Sequence, residues 1–354
     1  MRLLATLALV GAVLAGAGPP SAPELRRSTN RLVATTEIPA AIALFEQDGR
    51  RSAVAAGEAD LARQRKARPG DRFWVGSVTK TFVATVVMQL VAEERLRLDD
   101  DVEELLPGRL REGRRVHVRH LLNHTSGISD YMRLEPWRSA VARNPRVVIA
   151  SRRLVSSAAD LPLEFTPGSL ASYSNTNYLV LGEIVERVTG RALERVLRER
   201  IFEPLGLRAT AYEPGRRILG ADRTHGYDVS GSKPRDVSRH GLGGPWADGA
   251  IVSSARDLAV FFGALLRGRL VPKPLLDQML TIVPGSHGEG LGIYRLPSPC
   301  GRWYYGNTGG TPGYVTFAAG SRDGRRVVVV AVNGVSPRAL EAMGRFLDRL
   351  LCRR

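Results

Sequence analysis

The chain carries four lysines, and two of them stand three residues after a serine, in Ser77-Val-Thr-Lys80 and Ser230-Gly-Ser-Lys233. On a helix that spacing puts a hydroxyl and an amine on one face, about one turn apart. A buried, uncharged lysine so placed can take the serine's proton and leave an oxygen nucleophile for attack on a carbonyl. The two matches differ in setting. Lys233 lies in Gly231-Ser-Lys-Pro234, a turn sequence with no helix to align the groups. Ser77 opens an apolar run, Val78, Phe82, Val83, Val86, Val87, Leu90 and Val91, at helical spacing and nearly all round. This predicts a buried helix from Ser77 to about Arg95. An ammonium one turn inside such a helix is costly, so Lys80 must be paired, functional or deprotonated. The same spacing also fits a serine helix cap beside a lysine that reaches solvent.

Two other groups carry chemistry. Tyr173-Ser-Asn175 precedes a predicted helix over 177–188. A tyrosine hydroxyl can relay protons and an asparagine amide both donates and accepts, so the pair could orient Lys80 and hold a substrate amide. The third group is Gly306-Asn-Thr-Gly-Gly-Thr-Pro-Gly-Tyr314. Its glycines would let a strand approach a substrate closely, and the Gly310 amide with that of Ser77 could form an oxyanion hole. Each has a plainer reading. Tyr305-Gly-Asn307 repeats the Tyr-x-Asn pattern, and the glycines also suit a hairpin turn.

The elements that must hold these residues follow from periodicity and turns. The runs 39–46 and 51–57 flank Gln47-Asp-Gly-Arg50 and predict a β-hairpin. The middle reads as helical, most clearly over 146–158, 177–188 and 192–202. Helices near 254–266 and 274–280 follow, then strands over 303–305, 313–319 and 326–333, with a turn at Asp323-Gly324. A last helix is expected over 337–351. Strands first, helices in the middle and strands again predict an α+β fold, an antiparallel β-sheet flanked by helices with an inserted all-α subdomain. The α/β part is expected over about 30–95 and 245–354 and the helical insert over about 96–244, within one domain spanning 25–354.

The first residues are a short basic start and an apolar run to Gly18, with a small-residue cleavage pattern at Ala15-Gly-Ala17. Residues 1–17 are expected to be a secretory signal peptide, with an uncleaved anchor as the alternative. No other stretch approaches membrane-spanning length, so a secreted or cell-envelope protein without an integral span is expected. The net charge is +16, and 51 basic residues less four lysines leave 47 arginines, scattered along the chain. That charge suits either a composition bias or attraction to a polyanionic envelope surface. No nucleic-acid motif, dinucleotide fingerprint or Walker motif is present. Cys300 and Cys352 are a candidate disulfide in an exported chain.

Ser-Val-Thr-Lys at 77–80, Tyr-Ser-Asn at 173–175 and Thr-Gly at 308–309 resemble, in order and spacing, the three active-site motifs of penicillin-recognising serine hydrolases. The Tyr-x-Asn form is similar to the branch of class C β-lactamases and secreted D-alanyl-D-alanine carboxypeptidases. The likeness runs from roughly residue 30 to 350 and includes Val118-Arg-His-Leu-Leu-Asn-His-Thr-Ser-Gly-Ile128, Phe165-Thr-Pro-Gly168, Phe202-Glu-Pro-Leu-Gly-Leu207 and Ser253-Ser-Ala-Arg-Asp-Leu258. It implies a β-lactamase/transpeptidase-like fold and a disulfide between Cys300 and Cys352. Ser77 would be the nucleophile, with Lys80 and Tyr173 moving protons and Asn175 and Thr308 placing the substrate. Neither a metal nor an organic cofactor is called for. The implied substrate is a peptide ending in D-alanyl-D-alanine or a related D-amino-acid peptide. A β-lactam or small ester, or cell-wall peptide binding by a weakened homologue, is the alternative, and a monomer is expected. One position departs from the pattern. The family usually has His or Lys before Thr-Gly, where this chain has Asn307. A neutral amide is less suited to assist proton transfer or draw in a carboxylate. Arg295, a little upstream, is carried over as a residue for the substrate's terminal carboxylate.

Overall fold

The computed structural model describes residues 20–215, 221–241 and 243–352; the expected leader, 1–17, lies outside them. The fold is α+β, with one seven-stranded antiparallel sheet at its centre. Its strands are β1 (Ala40–Gln47), β2 (Arg50–Asp60), β3 (Arg65–Lys66), β4 (Tyr294–Pro297), β5 (Trp303–Thr311), β6 (Tyr314–Ser321) and β7 (Arg326–Val332). They lie in the order β3-β2-β1-β7-β6-β5-β4. The β1–β7 pairing, with Ala41 opposite Val332 and Gln47 opposite Arg326, joins the two ends of the chain. The β1–β2 hairpin turns on Asp48 and Gly49, both with positive φ (51° and 80°), the two-residue turn that suits twisted strands.

Helices cover both faces. α1 (Ala22–Ala34) and α5 (Pro337–Leu351) pack on one, closing a core of Leu25, Leu32, Phe45, Val330 and Phe346. On the other lies a larger core built around α2 (Thr79–Ala92), α3 (Asn175–Thr189) and α4 (Ala255–Leu266). α2 is buried nearly all round, as its apolar run requires, with Phe82 stacked on Phe261 of α4. Cys300 and Cys352 form a disulfide that ties the segment before β5 to the end of α5, with Cα atoms 5.4 Å apart.

Several boundaries differ from the sequence reading. The helix expected over 146–158 begins only at Ser151, and a separate helix, Glu135–Arg143, precedes it. Asn144 through Ala150 are irregular because Pro145 and Ile149 exchange backbone hydrogen bonds with Gly241 and Gly243. α1 was not anticipated, although Ser21 and Glu24 form a capping box ahead of it. β4 was also missed, being short and partly exposed, and ending on proline. β5, expected over 303–305, runs on to Thr311, so Gly306, Gly309 and Gly310 lie inside a strand, as the close-approach reading has it and the hairpin-turn reading does not.

Candidate active site

Ser77 sits in a 3₁₀ turn, Gly76–Val78, that leads directly into α2. The approach to it is anchored by the pairing of Phe73 and Trp74 with Ser253 and Val252. Gly76 has φ +55°, and a Cβ there would stand 2.9 Å from the Gly310 nitrogen. A Cβ on Gly309 would stand 1.9 Å from the Val75 carbonyl oxygen and 3.0 Å from the Ser77 nitrogen. β5 therefore crosses the Ser77 turn at backbone contact, which only glycines permit. The crossing brings the Ser77 and Gly310 amides together. Around Gly310 a Cβ would meet nothing within 4 Å, so that side of the crossing is open cleft. β4 pairs with β5 only from Trp303 to Gly306, which leaves residues 307–311 without a strand partner on that edge.

Lys80 follows one turn into the helix and is 1% exposed. Its Nζ lies 3.2 Å from Ser77 Oγ and donates to Asn175 Oδ1 and to the Asp248 carbonyl, each at 2.8 Å. Tyr173 closes the triangle, its hydroxyl 2.8 Å from Ser77 Oγ. Burial lowers the Lys80 pKa from 10.5 to about 8, against the opposing pull of Asp248 and Asp130. Burial also raises the Tyr173 hydroxyl well above its ordinary value, so it stays protonated at neutral pH. The reading of Lys80 as a solvent-reaching side chain fails on this geometry. Ser230 and Lys233, by contrast, are both exposed on a loop.

Asn175 opens α3 and is buried, its amide nitrogen donating to Asp130 Oδ2 at 3.0 Å. Thr308 is exposed on β5. Asn307 is buried and turned to α2, its amide donating to Thr81 Oγ1 at 3.2 Å, while Thr81 donates to the Gly292 carbonyl. The neutral side chain thus makes a seam between β5 and α2 next to Lys80. Arg295 lies outside the hydrogen-bonded cluster. It stands opposite Tyr305 on β4, its guanidinium stacked 4.3 Å over the Trp303 ring and its Nε buried without a partner.

Four neighbours of the site were not singled out from the sequence. His124, with φ +60°, lays its ring 4.5 Å from that of Tyr173 and accepts the Ser174 N–H through Nδ1 at 3.3 Å. Burial, with Lys80 nearby, pushes its pKa down to about 3, so the ring is neutral. Asp130, Tyr131 and Asp248 are buried beneath Lys80 and Asn175, with Tyr131 Oη donating to Asp248 Oδ2 at 2.8 Å. The only available signal was the position of His124, Asp130 and Tyr131 in and just after the family-like segment ending at Ile128. Asp248 carried none. Among the described residues no group of His, Cys, Asp and Glu is arranged to hold a metal ion.

A sheet flanked by helices, with serine, lysine and tyrosine where the cleft meets a glycine strand, is the architecture of the penicillin-recognising class. A model of the Beta-lactamase family matches residues 25–352, and the chain belongs to that family. The crystal structure of a D-stereospecific amidohydrolase from Streptomyces sp. is similar, at 34% identity and TM-score 0.81, covering 91% of this chain and 98% of that one. A D-aminopeptidase of Brucella anthropi is 32% identical over 206 residues, 57% of this chain and 37% of the relative. Penicillin-binding protein 4 of Amycolatopsis lactamdurans is 40% identical over 139 residues, 38% of this chain and 34% of the relative. These two curated relatives are each matched over little more than a third of their length.

Proposed function

We propose that the chain is a secreted serine hydrolase that cleaves amide bonds next to D-amino acids through an acyl-serine intermediate. The observation that carries this reading is the contact of a buried, low-pKa Lys80 with Ser77 Oγ, with the Tyr173 hydroxyl on the same oxygen. Ser77 Oγ attacks the carbonyl carbon as its proton passes to the Lys80 amine. The oxygen that gains charge is held by the Ser77 and Gly310 amides. Tyr173 gives its hydroxyl proton to the departing nitrogen and recovers one from the Lys80 ammonium. Water then attacks the acyl-serine by the same proton route in reverse and frees Ser77.

The substrate class rests on the relatives, whose names specify D-stereospecific amide hydrolysis and D-aminopeptidase activity. Within it, a peptide with a free terminal carboxylate, such as D-alanyl-D-alanine, is favoured by Arg295. That guanidinium has no carboxylate partner among the described residues and stands two positions from Asn307 along the β4–β5 ladder. Secretion accords with the apolar leader and the disulfide. Intact-protein mass spectrometry after exposure to penicillin and to a D-alanyl-D-alanine peptide tests the proposal. The expected result is a mass increase on penicillin treatment and release of D-alanine, both absent in Ser77→Ala. An adduct that persists in Ser77→Ala would sink the assignment. Fast turnover of a chromogenic cephalosporin or small ester, without peptide cleavage, would replace the peptidase with a β-lactamase or esterase.

A further inference from the structure

A neutral lysine amine has two N–H donors and one lone pair, whereas the ammonium has three donors and no lone pair. Lys80 Nζ meets three oxygens: Asn175 Oδ1 and the Asp248 carbonyl at 2.8 Å, and Ser77 Oγ at 3.2 Å. The first two can only accept. In the neutral amine they occupy both N–H groups, which leaves the lone pair to the serine hydroxyl. The lysine is therefore aimed as a base by its other two partners.

That aim requires Asn175 to present oxygen rather than nitrogen, and the two ends of an amide have nearly the same shape. Asp130 decides between them, with Met132 Sδ, 3.1 Å from Asn175 Nδ2, as a second and weaker acceptor on the same side. Asp130 Oδ2 accepts from Asn175 Nδ2 at 3.0 Å and its Oδ1 accepts from the Met132 N–H at 3.1 Å. A carboxylate offers acceptors only, so the amide nitrogen must face Asp130 and the oxygen must face Lys80. Burial raises the Asp130 pKa, while the Met132 N–H, Asn175 and Lys80 pull it back towards the carboxylate form. The second acceptor is held from the next residue. Tyr131 Oη donates to Asp248 Oδ2 at 2.8 Å and the Trp246 N–H donates to Oδ1 at 2.9 Å, fixing the residue whose carbonyl meets Lys80. The turn carrying Asp130 and Tyr131 is itself tied to α3, through the Tyr131 N–H to Thr176 Oγ1 and Thr176 Oγ1 to the Ser129 carbonyl.

We propose that Asp130 is a positioning residue, which holds the Asn175 amide nitrogen and so turns the Lys80 lone pair onto Ser77. The inference rests on the reading of Ser77 and Lys80 as nucleophile and base. Asp130 touches neither; its hydrogen bond reaches Lys80 through Asn175, and its charge favours the Lys80 ammonium from a distance.

The test compares Asp130→Ala with Asp130→Asn, both checked for folding by circular dichroism. The asparagine variant keeps one side-chain oxygen for the two donors that Asp130 serves, so it can hold Asn175 only by giving up the Met132 N–H; the alanine variant serves neither. Acylation by a fluorescent penicillin is expected to slow by roughly 10- to 100-fold in Asp130→Ala, the scale of losing a supporting hydrogen bond. In Asp130→Asn it should fall between the two, faster than in Asp130→Ala and slower than in the parent, because one oxygen must serve two donors. The pH–rate profile supplies a second readout. Lys80 faces Asp130, Asp248, neutral His124 and the rings of Tyr173 and Tyr178. Either substitution removes a carboxylate that favours its ammonium, so the rising limb should move to lower pH in both. That shift reads the charge of Asp130, and the difference in rate between the two variants reads its hold on Asn175. Asparagine-selective 15N labelling reports the Asn175 amide whether or not Ser77 reacts. One exchange-protected side-chain amide, missing in Asn175→Ala, should lose protection in Asp130→Ala and keep part of it in Asp130→Asn. Unchanged protection in Asp130→Ala, or acylation in Asp130→Ala within about threefold of the parent, overturns the positioning role. A parent chain that shows this amide pattern but takes no acyl group overturns the functional reading instead.

Discussion

Gly309→Ala is the sharpest probe of the crossing between β5 and the Ser77 turn. The added methyl would meet the Val75 carbonyl oxygen at 1.9 Å, the Val75 carbonyl carbon at 2.9 Å and the Ser77 nitrogen at 3.0 Å. All three are backbone atoms that no rotamer change can move aside. Relief to an ordinary contact requires a relative displacement of about 1.5 Å, on the scale at which misplaced groups cost about 100-fold in rate. The displaced atoms include both proposed oxyanion donors, and loss of one such donor costs about 10²–10³-fold. We therefore expect acylation of Ser77 to fall by about 10²–10³-fold, while the Lys80–Ser77 contact, made within one helix turn, persists. Gly310→Ala is the control for fold, since its methyl would meet nothing within 4 Å and would project into the cleft. The assay is stopped-flow acylation with a fluorescent penicillin or an activated ester, beside thermal unfolding of both variants. A folded Gly309→Ala protein that acylates within threefold of the parent would refute the argument that backbone contact at this crossing builds the oxyanion site.

Two further outcomes follow from the same geometry. The acylation rate should rise with pH through a limb near 8, because the lowered Lys80 pKa places the neutral, proton-accepting form above that value; a flat profile from pH 6 to 9 would exclude Lys80 as the base. Replacing Cys300 with serine should lower stability by about 2–4 kcal/mol, since the disulfide closes a 52-residue separation, and should leave acylation nearly unchanged; calorimetry and the acylation assay together check this.

Much of this site was legible because its parts are local. Ser77 and Lys80 lie within one helix turn, and the all-round apolar pattern of α2 marked the helix as buried, while leaving open whether the lysine reached solvent. The hairpin of β1 and β2 and the late antiparallel strands declared themselves through alternation and turn residues. The roles of Asp248, which carried no signal, and of Asp130, marked only by its place after a family-like segment, were hidden for the opposite reason. Their roles depend on contacts 168 and 45 residues away in the chain, to Lys80 and Asn175, and an isolated aspartate has no periodicity to betray it. The same applies to Asn307. Its identity suggested a weakened cation site, but only packing shows that its amide is engaged by Thr81.

The burial of Lys80 has a consequence for how the protein can change. Nearby carboxylates favour the ammonium, so exclusion of solvent is what keeps the amine neutral and able to accept a proton. The reactive state is thus a property of interior dryness, spread over Phe82, Tyr178 and the helices behind them. A leak of water into that interior would return Lys80 to ammonium in a chain still folded, and the site would fall silent without losing a single catalytic side chain. Substitutions that widen the cleft for larger substrates will be tolerated only on the Gly310 side, where space already exists, and will be punished on the side where the seal is made.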